Sequence, residues 1–256
     1  MVSIHEYSNS NELATSVGTF IVEEQNKALK SHGKFNVAIS GGSLIKVLRE
    51  ALVNDATVSS QVEWSKWHIY FSDERLVPLE HEDSNYGSFK DAVLEELTRK
   101  QVIGPVVYTI NESLVQEGKS ENEKVAKEYE SLLPDEPFDL ILLGCGPDGH
   151  TCSLFPGEAH KYLLEEKTRQ VMWCHDSPKP PSDRITITLP VLSASKAVAF
   201  VAEGSGKVSI LDEIFNKQNQ ELPCTIVNSE NDGKTRWFVN SDAVKGLGLK
   251  TGKYST

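Results

Sequence analysis

Phe138-Asp139-Leu140-Ile141-Leu142-Leu143 runs directly into Gly144-Cys145-Gly146-Pro147-Asp148-Gly149-His150, and the reading of this junction decides the fold. A short, nearly unbroken apolar run bounded by a turn signal predicts a strand buried on both faces. Three glycines and a proline in the next seven residues end it in an unusual turn that carries an Asp and a His. The same order of apolar run, polar turn and helical stretch recurs on either side.

Upstream, Ser8-Asn9-Ser10 supplies a cap for a helix from about Asn11 to Lys30, with Leu13, Val17, Phe20 and Ile21 at helical spacing. Phe35 to Ile39 predicts a strand, followed by Ser40-Gly41-Gly42-Ser43 and a helix through Leu52. Trp67 to Phe71 predicts another, ending in Ser72-Asp73-Glu74-Arg75, and Ser84 to Gly87 opens a helix from Phe89 to Leu97. Val106 to Ile110 reads as a strand, and Ser120 with Glu123 as the capping box of a helix to Leu133. Downstream, strands are expected at Val171 to His175, Arg184 to Leu189, Ala197 to Ala202, Thr225 to Asn228 and Trp237 to Asn240. Strands separated by helices imply βαβ units and a mainly parallel sheet, an α/β fold flanked by helices. No linker or repeat divides residues 1–256, so one domain is expected.

Composition narrows the function classes. Hydrophobic residues make up 39% and charged residues 25%, which argues against wholesale disorder. No apolar run approaches the roughly 20 residues that span a bilayer, and the N-terminal residues lack a secretion signal, so a cytoplasmic protein is expected. Twenty-six Lys and Arg against 37 Asp and Glu give a net charge of −11, which repels nucleic acid and anionic membranes. A small anion remains admissible, because a few converging cations override that field within roughly 8 Å. Cys145, Cys152, Cys174 and Cys224 form no CxxC pair and are read as reduced and buried. Nothing marks a coiled coil or obligate interface, so a monomer is expected.

In open parallel sheets ligands bind beyond the carboxyl ends of the strands. Four polar, glycine-rich clusters follow strands here: Ser40 to Ser43, Ser72 to Arg75, Gly144 to His150 and Glu203 to Lys207. Gly41-Gly42-Ser43 lets backbone approach a ligand at a helix start, where phosphate is a natural guest; the alternative is a ligand-free tight turn. Asp73 and Arg75 pair a carboxylate with a guanidinium fork suited to a sugar and its phosphate, or form only a surface ion pair. His150 is the candidate general base, with Asp148 to orient its imidazole or favour its charged form; the alternative is a loop histidine that only holds backbone in place. A metal set of Cys145, Asp148, His150 and Cys152 matches no recurrent zinc spacing. Arg184 at a strand entry and Lys207 on a first helical turn are each, taken singly, read first as solvated charges, and as cations for a phosphate or a developing oxyanion if they converge. Asp176 to Asp183, rich in proline, reads as a surface loop near the site.

At these residues the sequence resembles the 6-phosphogluconolactonase family, within the group that includes glucosamine-6-phosphate deaminase. The resemblance rests on Val37 to Ser43, Phe71 to Pro78 with Asp83 to Gly87, Leu143 to Gly157, Arg184 to Pro190 and Val201 to Lys207. Leu143 to Gly157 is the most specific block, and Trp64 to Trp67 with Trp173 to Pro181 resembles the fungal branch. It implies a Rossmann-like fold and hydrolysis of 6-phospho-D-glucono-1,5-lactone in the oxidative pentose phosphate pathway, without cofactor or metal. It further implies that His150 activates water, that Arg75 and Lys207 bind substrate, and that Gly42, Ser43 and Arg184 line the site. With Asp73 and Gly146 of the glycine turn, these complete the expected substrate-binding set. The deaminase pattern carries a Glu shortly after the Asp-Gly-His block, where this chain has Ser153-Leu154-Phe155-Pro156-Gly157 and no carboxylate. A non-catalytic protein that keeps the pocket is the rival from another class.

Overall fold

In the computed structural model, which describes residues 2–115 and 122–255, ten strands alternate with helices. The strands are β1 (Ser3–Tyr7), β2 (Phe35–Ile39), β3 (Trp67–Phe71), β4 (Asp73–Arg75), β5 (Val106–Val107), β6 (Leu140–Gly144), β7 (Val171–Cys174), β8 (Arg184–Ile187), β9 (Val198–Ala202) and β10 (Thr235–Asn240). Seven of them form one sheet in the order β1-β10-β9-β6-β2-β3-β5. Every neighbouring pair in it is parallel. The mainly parallel α/β sheet expected from the sequence is therefore present.

Side chains alternate between two buried faces. Phe35, Val37 and Ile39 of β2 pack with Leu140 and Leu142 of β6 against the long helix Ser10–His32 on one side. Ala38, Ile141, Leu143, Phe200 and Trp237 fill the core on the other. With both faces covered, β6 and β9 are apolar throughout and β2 is interrupted only by Asn36, the property that made them legible. The helix Ser10–His32 begins where the Asn9 side chain accepts from the Glu12 amide at 3.0 Å and ends at Gly33, whose φ is 79°.

The strand order creates the site. From β2 the chain steps to β3 and β5 on one side, then returns to β6, β9 and β10 on the other. The switch point thus falls between β2 and β6, where the loops leaving the two strands part and open a crevice.

Several expectations change. Thr225 to Asn228 lies inside a helix, Pro223–Glu230, rather than in a strand; four residues do not separate the two periodicities, and Cys224, Val227 and Asn228 form a buried helical stripe. Val106 to Ile110 contributes only the two-residue edge strand β5. The helix through Leu52 breaks into Ser43–Arg49 and a π-helical turn, Glu50–Asn54. The edge strand β1 escaped the sequence reading. Strands β4, β8 and β7 leave the main sheet altogether and form a small antiparallel one. Of the proposed capping box, Ser120 lies outside the described residues, and the helix there spans Glu123–Glu130.

Candidate active site

The turn after β6 is built around the imidazole of His150. The Gly146 amide donates to the His150 carbonyl at 2.9 Å, and the Gly149 amide to the Gly146 carbonyl at 3.0 Å, which closes the turn on itself. Asp148 hydrogen-bonds Nδ1 of His150. Nε2 has no protein partner among the described residues. The Asp148 carboxylate sits in a contest: burial opposes its ionisation, but the bond and charge of His150 and the charge of Lys179 outweigh it. Its carboxyl is held well below the usual range. Asp148 is thus an anion that accepts from Nδ1–H and leaves Nε2 on the far side of the ring.

Cations converge from other elements. Antiparallel pairing of β4 with β8 places Arg75 directly opposite Arg184. Like charges opposite one another are destabilising unless an anion joins them. Arg75 donates through Nη1 to the Asp83 carbonyl at 2.8 Å, while its buried Nε has no partner. Arg184 is 3% exposed, and burial, opposed by the charge of Asp73, lowers its pKa from the ordinary value. It donates to the carbonyls of Lys179 and Pro181 at 3.0 Å and of Pro180 at 3.3 Å. Lys207, on the turn after β9, donates to the Cys145 carbonyl at 2.6 Å.

The β4 carboxylates have separate duties. Asp73 is buried at the pocket wall and accepts from Ser153 at 2.8 Å. Asn85 reaches the Asp73 carbonyl at 2.8 Å, and Gly41 leaves room for its amide. Glu74 turns inward and accepts the amides of Asn85, Arg75 and Tyr86 at 2.7, 2.8 and 2.9 Å, which fixes the start of the helix Asn85–Phe89. Burial outweighs those donors and pushes its carboxyl up to about 7.

Gly42, Ser43, Asp73, Arg75, Gly146, His150, Arg184 and Lys207, all singled out from the sequence, line one cavity of about 170 Å³. Asp148 stands behind His150. Gly42 has φ 69°, a conformation that favours glycine, at the entry to the helix Ser43–Arg49. Asn85 and Lys179 were not singled out; the first was visible only as part of a helix start, the second only as part of a loop. All four cysteines are free and buried. Among the described residues no group of three or more His, Cys, Asp or Glu is arranged to hold a metal ion, and Cys145, Asp148, His150 and Cys152 form no such group. No helix among them is long and apolar enough to cross a membrane.

Fold and site together define an α/β protein with a polar, cation-lined pocket at the switch point of a parallel sheet and a carboxylate-oriented histidine on its wall. A family model described as glucosamine-6-phosphate isomerases/6-phosphogluconolactonase matches residues 8–237, and the chain belongs to that family. It is 55% identical over 251 residues to "6-phosphogluconolactonase 3" of Saccharomyces cerevisiae, covering 98% of this chain and 100% of the relative. It is 38% identical over 258 residues to the 6-phosphogluconolactonase of Bos taurus, covering 99% and 96%. The crystal structure of a 6-phosphogluconolactonase from Thermotoga maritima superposes with a TM-score of 0.75 at 27% identity, covering 94% of this chain and 100% of that one. The lean towards fungal relatives read from the tryptophan-bearing segments agrees with these identities.

Proposed function

We propose that this chain hydrolyses 6-phospho-D-glucono-1,5-lactone to 6-phospho-D-gluconate, the reaction of the oxidative pentose phosphate pathway for which its relatives are named. The single observation that carries the reading is the meeting, in one pocket, of an oriented imidazole with the opposed Arg75 and Arg184. Hydrolysis of a phosphorylated lactone needs one base and one anion-binding end, and the pocket has both.

Nε2 of His150 takes a proton from water as its oxygen attacks C1. The tetrahedral oxyanion then collapses, the C1–ring oxygen bond breaks, and the proton held by His150 passes to the departing ring oxygen. The amides of Gly146 and Gly149 already bond within the turn, which favours the Lys207 ammonium over those two amides as the partner of the oxyanion. The 6-phosphate, remote from C1, is met by Arg75 with the Gly42-Ser43 turn, and its binding energy positions the reacting carbon. Asp73 receives sugar hydroxyls. Arg184 supplies charge to the same end while most of its donors hold the neighbouring loop. We further propose that residues 1–256 act as one cytoplasmic domain, as a monomer, without cofactor.

The test is lactone hydrolysis by the purified protein, with glucose-6-phosphate dehydrogenase generating the lactone in situ and EDTA present. Turnover well above the spontaneous rate that depends on the 6-phosphate supports the reading. A rate equal to the background rejects it in favour of a binding protein with the same pocket.

A further inference from the structure

An aspartate hydrogen-bonded to a histidine favours the imidazolium, because its charge stabilises a second ring proton. A histidine that must take a proton from water has to avoid that state. Asp148 therefore orients His150 usefully and, taken alone, draws onto it the proton that would silence it.

A third group stands at this pair. The Lys179 ammonium lies 3.2 Å from Nδ1 of His150 and 3.5 Å from Oδ1 of Asp148. It approaches the ring from the Nδ1 side, and its side chain is half-buried. Since Nδ1–H donates to Asp148, that nitrogen has no lone pair to offer Lys179, and the ammonium acts on the ring as a charge.

The placement is built rather than incidental. The Lys179 carbonyl accepts from Ser177 Oγ at 2.8 Å and from Arg184 Nη2 at 3.0 Å. Arg184 also holds the next two carbonyls, and the amide of Ser177 closes the loop on the Ser182 carbonyl at 3.0 Å. A buried guanidinium thus spends its donors on the short segment that delivers the lysine.

From this geometry we infer that Lys179 is a positioning residue for the reaction proposed above, offsetting Asp148 so that His150 stays an unprotonated base with Nε2 free. The inference rests on that reading for its consequence, not for its test. Other ionisable groups face the imidazole less directly. The thiols of Cys152 and Cys224 are held neutral by burial, and Cys145 lines the pocket beside them. Arg184 and His160 flank Phe155, whose ring lies 4.8 Å from that of His150. Asp73, Arg75 and Lys207 stand elsewhere on the pocket wall and make no hydrogen bond to the ring among the described residues.

The experiment is ¹⁵N NMR of the histidine rings in the full chain without substrate, with His150 assigned by comparison with His150→Gln. It is paired with the pH profile of kcat/KM. Wild-type protein is expected to show the tautomer with the proton on Nδ1. In Lys179→Met, or in Lys179→Gln as a second neutral replacement, the midpoint at which His150 gains its second proton rises by about one pH unit. The acid limb of kcat/KM moves with it, and Lys179→Arg keeps both near wild type. An unmoved midpoint in both neutral variants, or a proton on Nε2 in wild type, overturns the inference. If the protein proves to lack lactonase activity, the functional reading fails alone, because the NMR titration needs no turnover.

Discussion

A Cβ added to Gly146 would lie 2.0 Å from Nδ1 of His150 and 2.7 Å from Oδ1 of Asp148. The absence of a side chain at 146 is therefore what lets imidazole and carboxylate meet against the backbone. No backbone-dihedral argument is needed, since the requirement is one of space.

Gly146→Ala is expected to displace the imidazole and lower kcat by about a hundredfold, because misplacement on the ångström scale costs that much in positioned catalysis. The turn lies beyond the carboxyl end of the central strand β6, outside the strand ladder, so the melting temperature should fall by only a few degrees. Steady-state kinetics with a thermal melt checks both. Near-wild-type kcat would mean that the Asp148–His150 contact is dispensable.

Asp148→Asn should keep the fold and cost activity by a different route. An amide presents either NH₂ or C=O to Nδ1, so the tautomer with Nε2 free is no longer enforced. A loss of about 10²-fold or more in kcat with little change in KM is expected, against about 10²–10⁴-fold for His150→Ala. Equal activity of Asp148→Asn and wild type would remove Asp148 from the mechanism.

Arg75→Ala should separate binding from chemistry. With the phosphate on Arg75, KM for the phosphorylated lactone rises about tenfold or more, while the slow turnover of an unphosphorylated gluconolactone is unchanged. The substitution also relieves the cross-strand repulsion with Arg184, so the substrate-free protein is expected to melt no lower than wild type. An unchanged KM would place the phosphate elsewhere in the pocket.

Glu74 predicts a pH dependence of stability. Its folded carboxyl, raised from 4.5 to about 7 by burial, favours the protonated form. The folded state therefore binds a proton that the unfolded state has released. This stabilisation is complete below about 4.5 and is lost as pH rises through about 7, amounting to about 3 kcal/mol. Glu74→Gln should flatten the decline in unfolding free energy between pH 5 and 8, read by urea denaturation. A slope identical to wild type would mean that the three amide donors keep Glu74 ionised.

Legibility in the sequence followed the range of the interactions involved. Strands β2, β3, β6 and β9 were readable because both faces are buried, and every residue from Leu140 to Leu143 reports it. The four polar clusters were readable because each follows its strand directly. The segment 225–228 was misread because four residues, Thr225 to Asn228, are too few to separate the two periods. Strand β4 was invisible because its partner lies in the distant β8, and three residues named Asp, Glu and Arg carry no pattern of their own.

What the amino-acid sequence determined by itself was the α/β class, the polar residues each turn carries and the placing of Asp148 two residues before His150. Those depend on neighbours a few residues away, whose spacing is written in the chain. Tertiary structure alone decided the rest. Strand order put the switch point between β2 and β6, antiparallel register set Arg75 against Arg184, and the Arg184-held loop brought Lys179 to His150. The reason is physical: register and strand order are set by how whole faces pack, and no local period encodes which distant residue a side chain will meet.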